Sequence, residues 1–248
     1  MISRVRVPKL KHPNTIFRLA KNEAEVAQAN KLVCESYLQS GLWENDEGFK
    51  ANKHLHSANR LVFVAVQEGD VVATASVVKD EGGLGLPSDK FRRDLIDQQR
   101  AAGELLGEVT ALAVDKDQSD QRALVLFLFR FVIQYCFYYS TIERFIAVVM
   151  PKHAGFYESV IRFTRLSEPE PYGYVKFPVQ MLTLHLLEAH LLLQHHYETD
   201  PAQRDNFYRF FMVDHDRNMH FPESRAMRRP RQINWAAQAL VRQLPMAG

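Results

Sequence analysis

Apolar and polar positions along the chain spell out an alternation of strands and helices. Thr15 to Ala20 is a short strand, after which Asn22 and Glu25 form an N-cap and capping-box pair. The apolar stripe Val26, Ala29, Leu32, Val33 and Tyr37 predicts a helix that Gly41 stops. Residues 42–59, with Trp43, Phe49, His54 and His56, lack periodicity and read as a lid or substrate-facing loop. Leu61 to Gln67 and Val71 to Lys79 are strands joined through Glu68-Gly69-Asp70, a hairpin signal. A glycine-rich loop leads to Ser88, placed to cap a helix from Asp89 to Arg100. A buried strand over 104–114, a helix from about Ser119 to Tyr139 and a strand from Arg144 to Met150 follow.

Pro151 suits the first position of a helix that sets His153, Phe156, Tyr157 and Val160 at one-face spacing. Two strands come next, near 164–176 and 179–186. Helical patterns then cover 187–197, 201–212 and 231–243. The whole is an α/β (α+β) chain: a mixed, mostly antiparallel central sheet flanked by helices, with a C-terminal helical extension. It divides into an N-terminal arm (1–14), a catalytic-type domain (15–186) and the extension (187–248).

The strand over 104–114 carries the most informative residue. Strict alternation puts Glu108, Thr110, Leu112 and Val114 on one face. A carboxylate in such a run is either a strand-end charge facing water or a partner, or a catalytic base whose pKa burial raises.

Totals narrow the choice of function. Across 248 residues, 46% hydrophobic and 24% charged, the chain has the makeup of an ordinary soluble globular protein. A net charge of +2 argues against nucleic acid as partner. Cys34 and Cys136 both lie in apolar helical patterns and read as reduced core thiols, which fits a cytoplasmic protein. Residues 123–139 are apolar all round, yet Arg130 and Gln134 interrupt them, so they read as a sandwiched core helix without membrane insertion. His185, His190, His195 and His196 miss the i, i+4 spacing of a helical metal pair, so no metal is expected.

Four stretches, in order, resemble the N-acyl amino acid synthases, a GNAT-like acyltransferase family related to the acyl-homoserine lactone synthases. They are 30–41, Gly85-Leu86-Pro87, the strand Glu108-Val109-Thr110-Ala111-Leu112-Ala113-Val114, and Pro151-Lys152-His153-Ala154-Gly155-Phe156-Tyr157 with Phe163 beyond. The last two match that family's E-V-(S/T)-x-L-A-V and P-x-H-x-x-F-Y-x-x-x-x-x-F motifs. The resemblance implies a GNAT-like fold over 15–186. It also implies transfer of a fatty acyl group from the phosphopantetheine thioester of acyl carrier protein to the α-amino group of an amino acid. No bound cofactor is expected, and the thioester is a co-substrate. Lactone synthases have arginines that this chain replaces at Ala111 and in the stretch before Leu86-Pro87, which favours a simple amino acid acceptor.

A carrier protein is preferred to coenzyme A on a second ground. Enzymes of this fold that use coenzyme A cradle its pyrophosphate on a glycine-rich turn after the fourth strand. Here that turn has no glycine and carries Asp115, Asp117 and Asp120.

For the chemistry, Glu108 is the candidate base, and backbone N–H groups of its strand, freed where the strand splays, are the oxyanion donors. Tyr157 matches the position of the tyrosine that protonates the leaving thiolate in many such enzymes, its other reading being a core tyrosine. Substrate-binding candidates are Thr110, His153, Phe156 and Lys79, with Phe127 and Phe131 as walls of an acyl tunnel or plain core. Lys79 and Arg60 are both open as holders of the acceptor's carboxylate. The basic runs Lys90-Arg92-Arg93-Arg100 and Arg217, Arg225, Arg228, Arg229, Arg231 are solvated faces or steer an acidic carrier protein, and 187–248 is left for docking or dimerisation. A coenzyme A-dependent acetyltransferase and a silent binding module are the competing functions.

Overall fold

The computed structural model describes residues 9–50, 52–173, 175–199, 210–211 and 217–222. Strand β1 (Ile16–Leu19) leads into helix α1 (Glu23–Gln39). The Asn22 side chain accepts from the Glu25 backbone N–H at 3.0 Å, as the capping pattern predicts. Glu25 does not return the bond to Asn22; its carboxylate is taken by Arg18 and the Lys21 N–H. The polar stretch beyond contains a single turn, α2 (Glu47–Lys50), and a 3₁₀ turn at Lys53–His56.

Strands β2 (Arg60–Gln67) and β3 (Asp70–Lys79) form the expected hairpin. Its two turn residues, Glu68 and Gly69, both have positive φ, at 52° and 99°, the geometry that matches the twist of a two-residue hairpin. Helix α3 (Asp89–Ala101) precedes the central strand β4 (Leu106–Val114), and α4 (Gln121–Tyr139) leads to β5 (Arg144–Val149). A short α5 (Pro151–Phe156) runs directly into a π turn at Tyr157–Ile161, and β6 (Thr164–Arg165), β7 (Glu170–Tyr172), β8 (Val175–His185) and α6 (Leu186–Thr199) complete the described elements. The helices expected over 201–212 and 231–243 lie outside the described residues apart from 210–211, as does the arm over 1–8.

The strands make one sheet in the order β1-β2-β3-β4-β5-β8-β6, with β7 paired to β8. Among the described strands only the β4–β5 pair is parallel, with a lone parallel bridge between Phe17 and Met219 besides. That pairing spans Leu106↔Arg144 to Val109↔Ala147 and then stops, although both strands continue. From Thr110 onward β4 has no β-partner on its β5 side.

Helix α4 covers one face of the sheet. Phe63, Val77, Val109, Phe145 and Leu184 meet Leu128, Phe129 and Phe131 there. Its polar interruptions pack on residues near 210: the Arg130 guanidinium lies 4.7 Å over the Phe210 ring, and Gln134 donates to the Phe211 carbonyl at 2.7 Å, although Gln134 Oε1 is buried without a hydrogen bond. The all-round apolar pattern therefore belongs to a helix packed between the sheet and residues near 210–221. By length and composition alone this helix is long and apolar enough to cross a membrane. Helices α1 and α3 lie on the other face, above Val62, Val64 and Ala111 on one side and Leu106, Ile146 and Met181 on the other.

Strict alternation fails in β4. Ser76 pairs with Thr110 and Thr74 with Ala113, so Ala111 and Leu112 together oppose Ala75 in a β-bulge. Ala111 takes φ 52°, an uncommon conformation for a residue with a Cβ. The extra residue reverses the phase. Ala111 and Ala113 pack under α1, while Leu112 and Val114 pack with the α4 core. Leu112 and Val114 thus do not share the face of Glu108 and Thr110, a correction to the simple period-two reading.

Candidate active site

Glu108 sits mid-strand at the centre of the α1/α3 face, opposite Val78 on β3 and Ile146 on β5. It is 4% exposed. Burial raises its pKa to about 7, against a downward pull from two hydrogen bonds with Ser88. Both bonds reach Oε2: the Ser88 backbone N–H at 2.8 Å and its hydroxyl at 2.7 Å. Oε1 accepts no hydrogen bond from the described residues. A carboxylate with one anchored oxygen and a pKa near neutrality can take up and release a proton at physiological pH.

Ser88 was expected only as a helix cap. It stands at the N-cap of α3, but its hydroxyl makes no capping bond because it is turned to Glu108. The preceding loop is held in place for this. Asp89 accepts from the Leu86 N–H at 2.8 Å and is clamped by Arg100. Gly85 has φ 73°, and a Cβ there would lie 2.2 Å from the Asp89 carboxylate, which accounts for the glycine in Gly85-Leu86-Pro87. Gly107, just before the glutamate, is equally constrained, since a Cβ would lie 2.7 Å from Ile142 Cδ1.

Beside Glu108 is a small cavity of about 40 Å³, lined by Tyr37, Trp43, His54, Arg60, Val78 and Thr110 among others. Residues 42–59 therefore do face the site, through Trp43, Asn52, His54 and Leu55. Arg60 is 8% exposed. Its Nε donates to the Ser76 hydroxyl at 2.9 Å, and Nη1 donates to Asn30 Oδ1 and the Leu55 carbonyl, each at 2.8 Å. Nη2 is buried without a partner, and so is Nδ1 of His54. Burial with no facing carboxylate lowers the Arg60 pKa to about 10.

The opened end of the β4–β5 pair lies next to this cavity. The half-buried Tyr37 hydroxyl interacts there with the backbone amides of Leu112 and Ala111, and burial still pushes its pKa up to about 12. Tyr157 approaches from the α4 side. It is 7% exposed and makes edge contacts with Phe129, Phe156 and Phe163. Burial, then the nearby Tyr37 phenol, push its pKa upward, so it stays protonated. The π turn fixes its backbone: the Tyr157 carbonyl accepts from both the Arg162 and Phe163 N–H groups. Tyr37, read from sequence as a core-stripe residue, is thus a site residue.

The structure brings together Glu108, Thr110 and Arg60, and places Tyr157 across the splay from Tyr37. It separates the others. His153 is exposed on the first turn of α5, whereas Tyr157 is buried. Lys79 pairs with Glu81 at 2.8 Å on the rim, outside the cavity lining. Phe156 packs on Phe129, Phe127 on Phe17 and Phe210, and Phe131 on Phe63, all on the sheet face opposite Glu108. The α3 arginines are largely neutralised, Arg92 by Asp94 and Glu170, Arg93 by Asp97, and Arg100 by Asp80, Asp89 and Asp97. Arg225, Arg228, Arg229 and Arg231 lie outside the described residues. His185 accepts the Glu188 N–H at the start of α6, and His190 stacks on Phe137.

Comparison with known proteins identifies the family and the fold. The sequence profile of the family N-acyl amino acid synthase FeeM matches residues 28–185. The solved structure of FeeM, an N-acyl amino acid synthase from uncultured soil microbes, superposes with a TM-score of 0.63 at 26% identity, covering 71% of this chain and 93% of that one. Two acyl-homoserine lactone synthases share the fold alone. LasI matches at 13% identity and TM-score 0.51, covering 69% of this chain and 90% of its own. BjaI, described as dependent on coenzyme A, matches at 16% and 0.53, covering 69% and 82%. A search of curated protein sequences gave no match. The fold is thus the GNAT-like acyltransferase fold implied by the sequence motifs.

Proposed function

This chain belongs to the N-acyl amino acid synthase FeeM family, and from that premise we propose that it acylates the α-amino group of an amino acid with a fatty acyl group carried on acyl carrier protein. The observation that carries the reading is Glu108, a buried strand carboxylate with a pKa of about 7, set beside the opened β4–β5 pair.

In this reading the acceptor's ammonium gives a proton to Oε1 of Glu108, and the freed amine attacks the thioester carbonyl carbon. The C–N bond forms, and the oxygen gathers negative charge that backbone N–H groups on the unpaired edge of β4 stabilise. Ala111 and Leu112 supply the candidate groups, close to the Tyr37 hydroxyl. Collapse breaks the C–S bond. One of the two protons on the attached nitrogen passes to the thiolate, directly or through Tyr157, leaving a secondary amide and a neutral thiol. Thr110, in the cavity lining two residues along β4 from Glu108, orients the amine.

The turn between β4 and α4 supports a carrier-bound donor over coenzyme A. Asp120, at the N-cap of α4, is 9% exposed and accepts the Lys11 N–H at 2.7 Å. The Gln121 side chain fills the turn by donating to the Asp115 and Lys116 carbonyls. The open groove above it, about 930 Å³, is lined by Glu35, Asp70, Asp115 and Asp117 against Lys31 and Lys116. Such a lining disfavours a pyrophosphate, whereas a pantetheine arm brings one phosphate.

The test is to supply long-chain acyl carrier protein, or in parallel the same acyl-coenzyme A, with a mixture of the common L-amino acids, and to read product masses. N-acyl amino acids formed from the carrier thioester are the expected result. Product from coenzyme A alone would overturn the donor assignment, and no product from either would overturn the activity.

A further inference from the structure

Arg60 presents a cation in a place where nothing in the described protein answers it. It is held rigidly by three bonds through Nε and Nη1, to Ser76, Asn30 and the Leu55 carbonyl, all of them neutral acceptors. Its remaining nitrogen, Nη2, is buried and unpartnered, and so is Nδ1 of His54 in the same cavity. A buried donor without an acceptor is costly, and a buried charge without a counter-charge more so. Proteins keep such groups where a ligand completes them. Guanidinium nitrogens are matched by carboxylate oxygens, in charge and in planar geometry.

The register sets the distance to the base. Arg60 pairs with Val78, and Val78 pairs with Glu108, so Arg60 and Glu108 stand on the same face two strands apart. At the usual strand spacing their Cα atoms are about 10 Å apart. Arg60 is anchored on Ser76 and Asn30 and the Glu108 carboxylate on Ser88, so the two charged ends stand apart on one face, with room for the carboxylate and amine of an α-amino acid to bridge them.

We propose that Arg60 Nη2, assisted by His54 Nδ1, is the subsite that binds the α-carboxylate of the acceptor, placing its amine at Oε1 of Glu108. The assignment rests on the acyltransfer reading for the identity of the amine. It makes the carboxylate itself a specificity determinant: amines without it are poor acceptors however well their side chains fit. Lys79, spent on Glu81 at the rim, has no part in it.

The experiment compares the amino acid best used by the enzyme with its decarboxylated amine, for wild type and the variants Arg60→Met, Arg60→Lys and His54→Ala. Wild type is expected to favour the amino acid by 100-fold or more in kcat/KM. Arg60→Met is expected to raise the amino acid KM about 10- to 100-fold, as loss of a charged hydrogen bond does, while leaving the amine's rate nearly unchanged. Arg60→Lys should recover part of the loss, and His54→Ala should cost less than Arg60→Met. Equal use of acid and amine by wild type, or equal losses for both in Arg60→Met, would overturn the subsite.

Arg60→Met removes three structural bonds, so each variant is checked by near-ultraviolet circular dichroism. If it fails to fold, the wild-type preference decides alone. Calorimetric titration of wild type with the same pair separates the two claims. If no amino acid is acylated, L-leucine and isoamylamine serve as the titration pair. Carboxylate-dependent binding without turnover sinks the acyltransfer and leaves the subsite standing; turnover without carboxylate dependence does the opposite.

Discussion

The two faces of the β2–β3–β4 ribbon are made from alternate residues of the same strands and follow opposite rules. Under α4, Phe63, Val77 and Val109 meet Leu128, Phe129 and Phe131 in a continuous apolar layer. Under α1 and α3 the same strands present Arg60, Ser76 and Glu108, all buried, with a cavity lined by Arg60 and Thr110 nearby and two buried nitrogens, on Arg60 and His54, without a hydrogen-bond partner. One face lowers the free energy of folding. The other raises it locally, because burying ionisable groups costs more than burying methyls. The first is the scaffold that lets the second persist, as strained functional sites require.

If this division of labour holds, substitutions on the two faces separate activity from stability. Glu108→Gln should lower kcat/KM by about 10²- to 10⁴-fold, the usual worth of a general base, while the protein stays folded. Full activity in this variant would remove Glu108 from the chemistry. On the opposite face, Phe131→Ala should lower unfolding free energy by about 3–5 kcal/mol in a denaturant titration, with little change in activity per folded molecule. A matching loss of activity would mean that the α4 face also serves the acyl chain.

The pH dependence sharpens the contrast further. The folded-state pKa of Glu108 is raised to about 7 from an ordinary value of 4.5, so folding favours its protonated form. Its stability contribution is therefore full below pH 4.5 and is lost as pH rises through 7, by about 3 kcal/mol. Stability measured across that range should fall in wild type and stay flatter in Glu108→Gln. Over the same range kcat/KM should rise, because the base works deprotonated. The smallest expected effect is that of Ser88→Ala. Removing one bond that favours the carboxylate should move the rising limb of the pH–rate profile upward by about one unit or less, seen as a shifted midpoint with an unchanged plateau.

Much of the scaffold was legible from residues alone, since period-two and period-3.6 patterns are read locally. Asn22, Gly41, Glu68-Gly69 and Pro151 each mark an element end by their own backbone preference. Glu108 was legible for a related reason, as a charge in an apolar strand is anomalous wherever it occurs. Ser88 was misread because its hydroxyl has a good local use as a cap, and only the folded chain reveals the stronger acceptor on β4. Tyr37 was hidden in a helical stripe whose periodicity it satisfies. The Phe127 and Phe131 tunnel depended on which sheet face α4 covers, and no local pattern carries that. The bulge at Ala111 was invisible because no glycine announces it.

That bulge works as a phase shifter. A single additional residue lets one continuous strand point chemistry to one layer and, a few ångströms later, hand the same layer to alanines small enough for a helix to settle on. Inserting one residue after Ala111 would shift the beat once more and turn Leu112 and Val114 into the α1 layer, filling the space that the alanines now leave open. Tolerance to insertion in this molecule is therefore expected to be lowest at a mid-strand alanine and not at any charged residue.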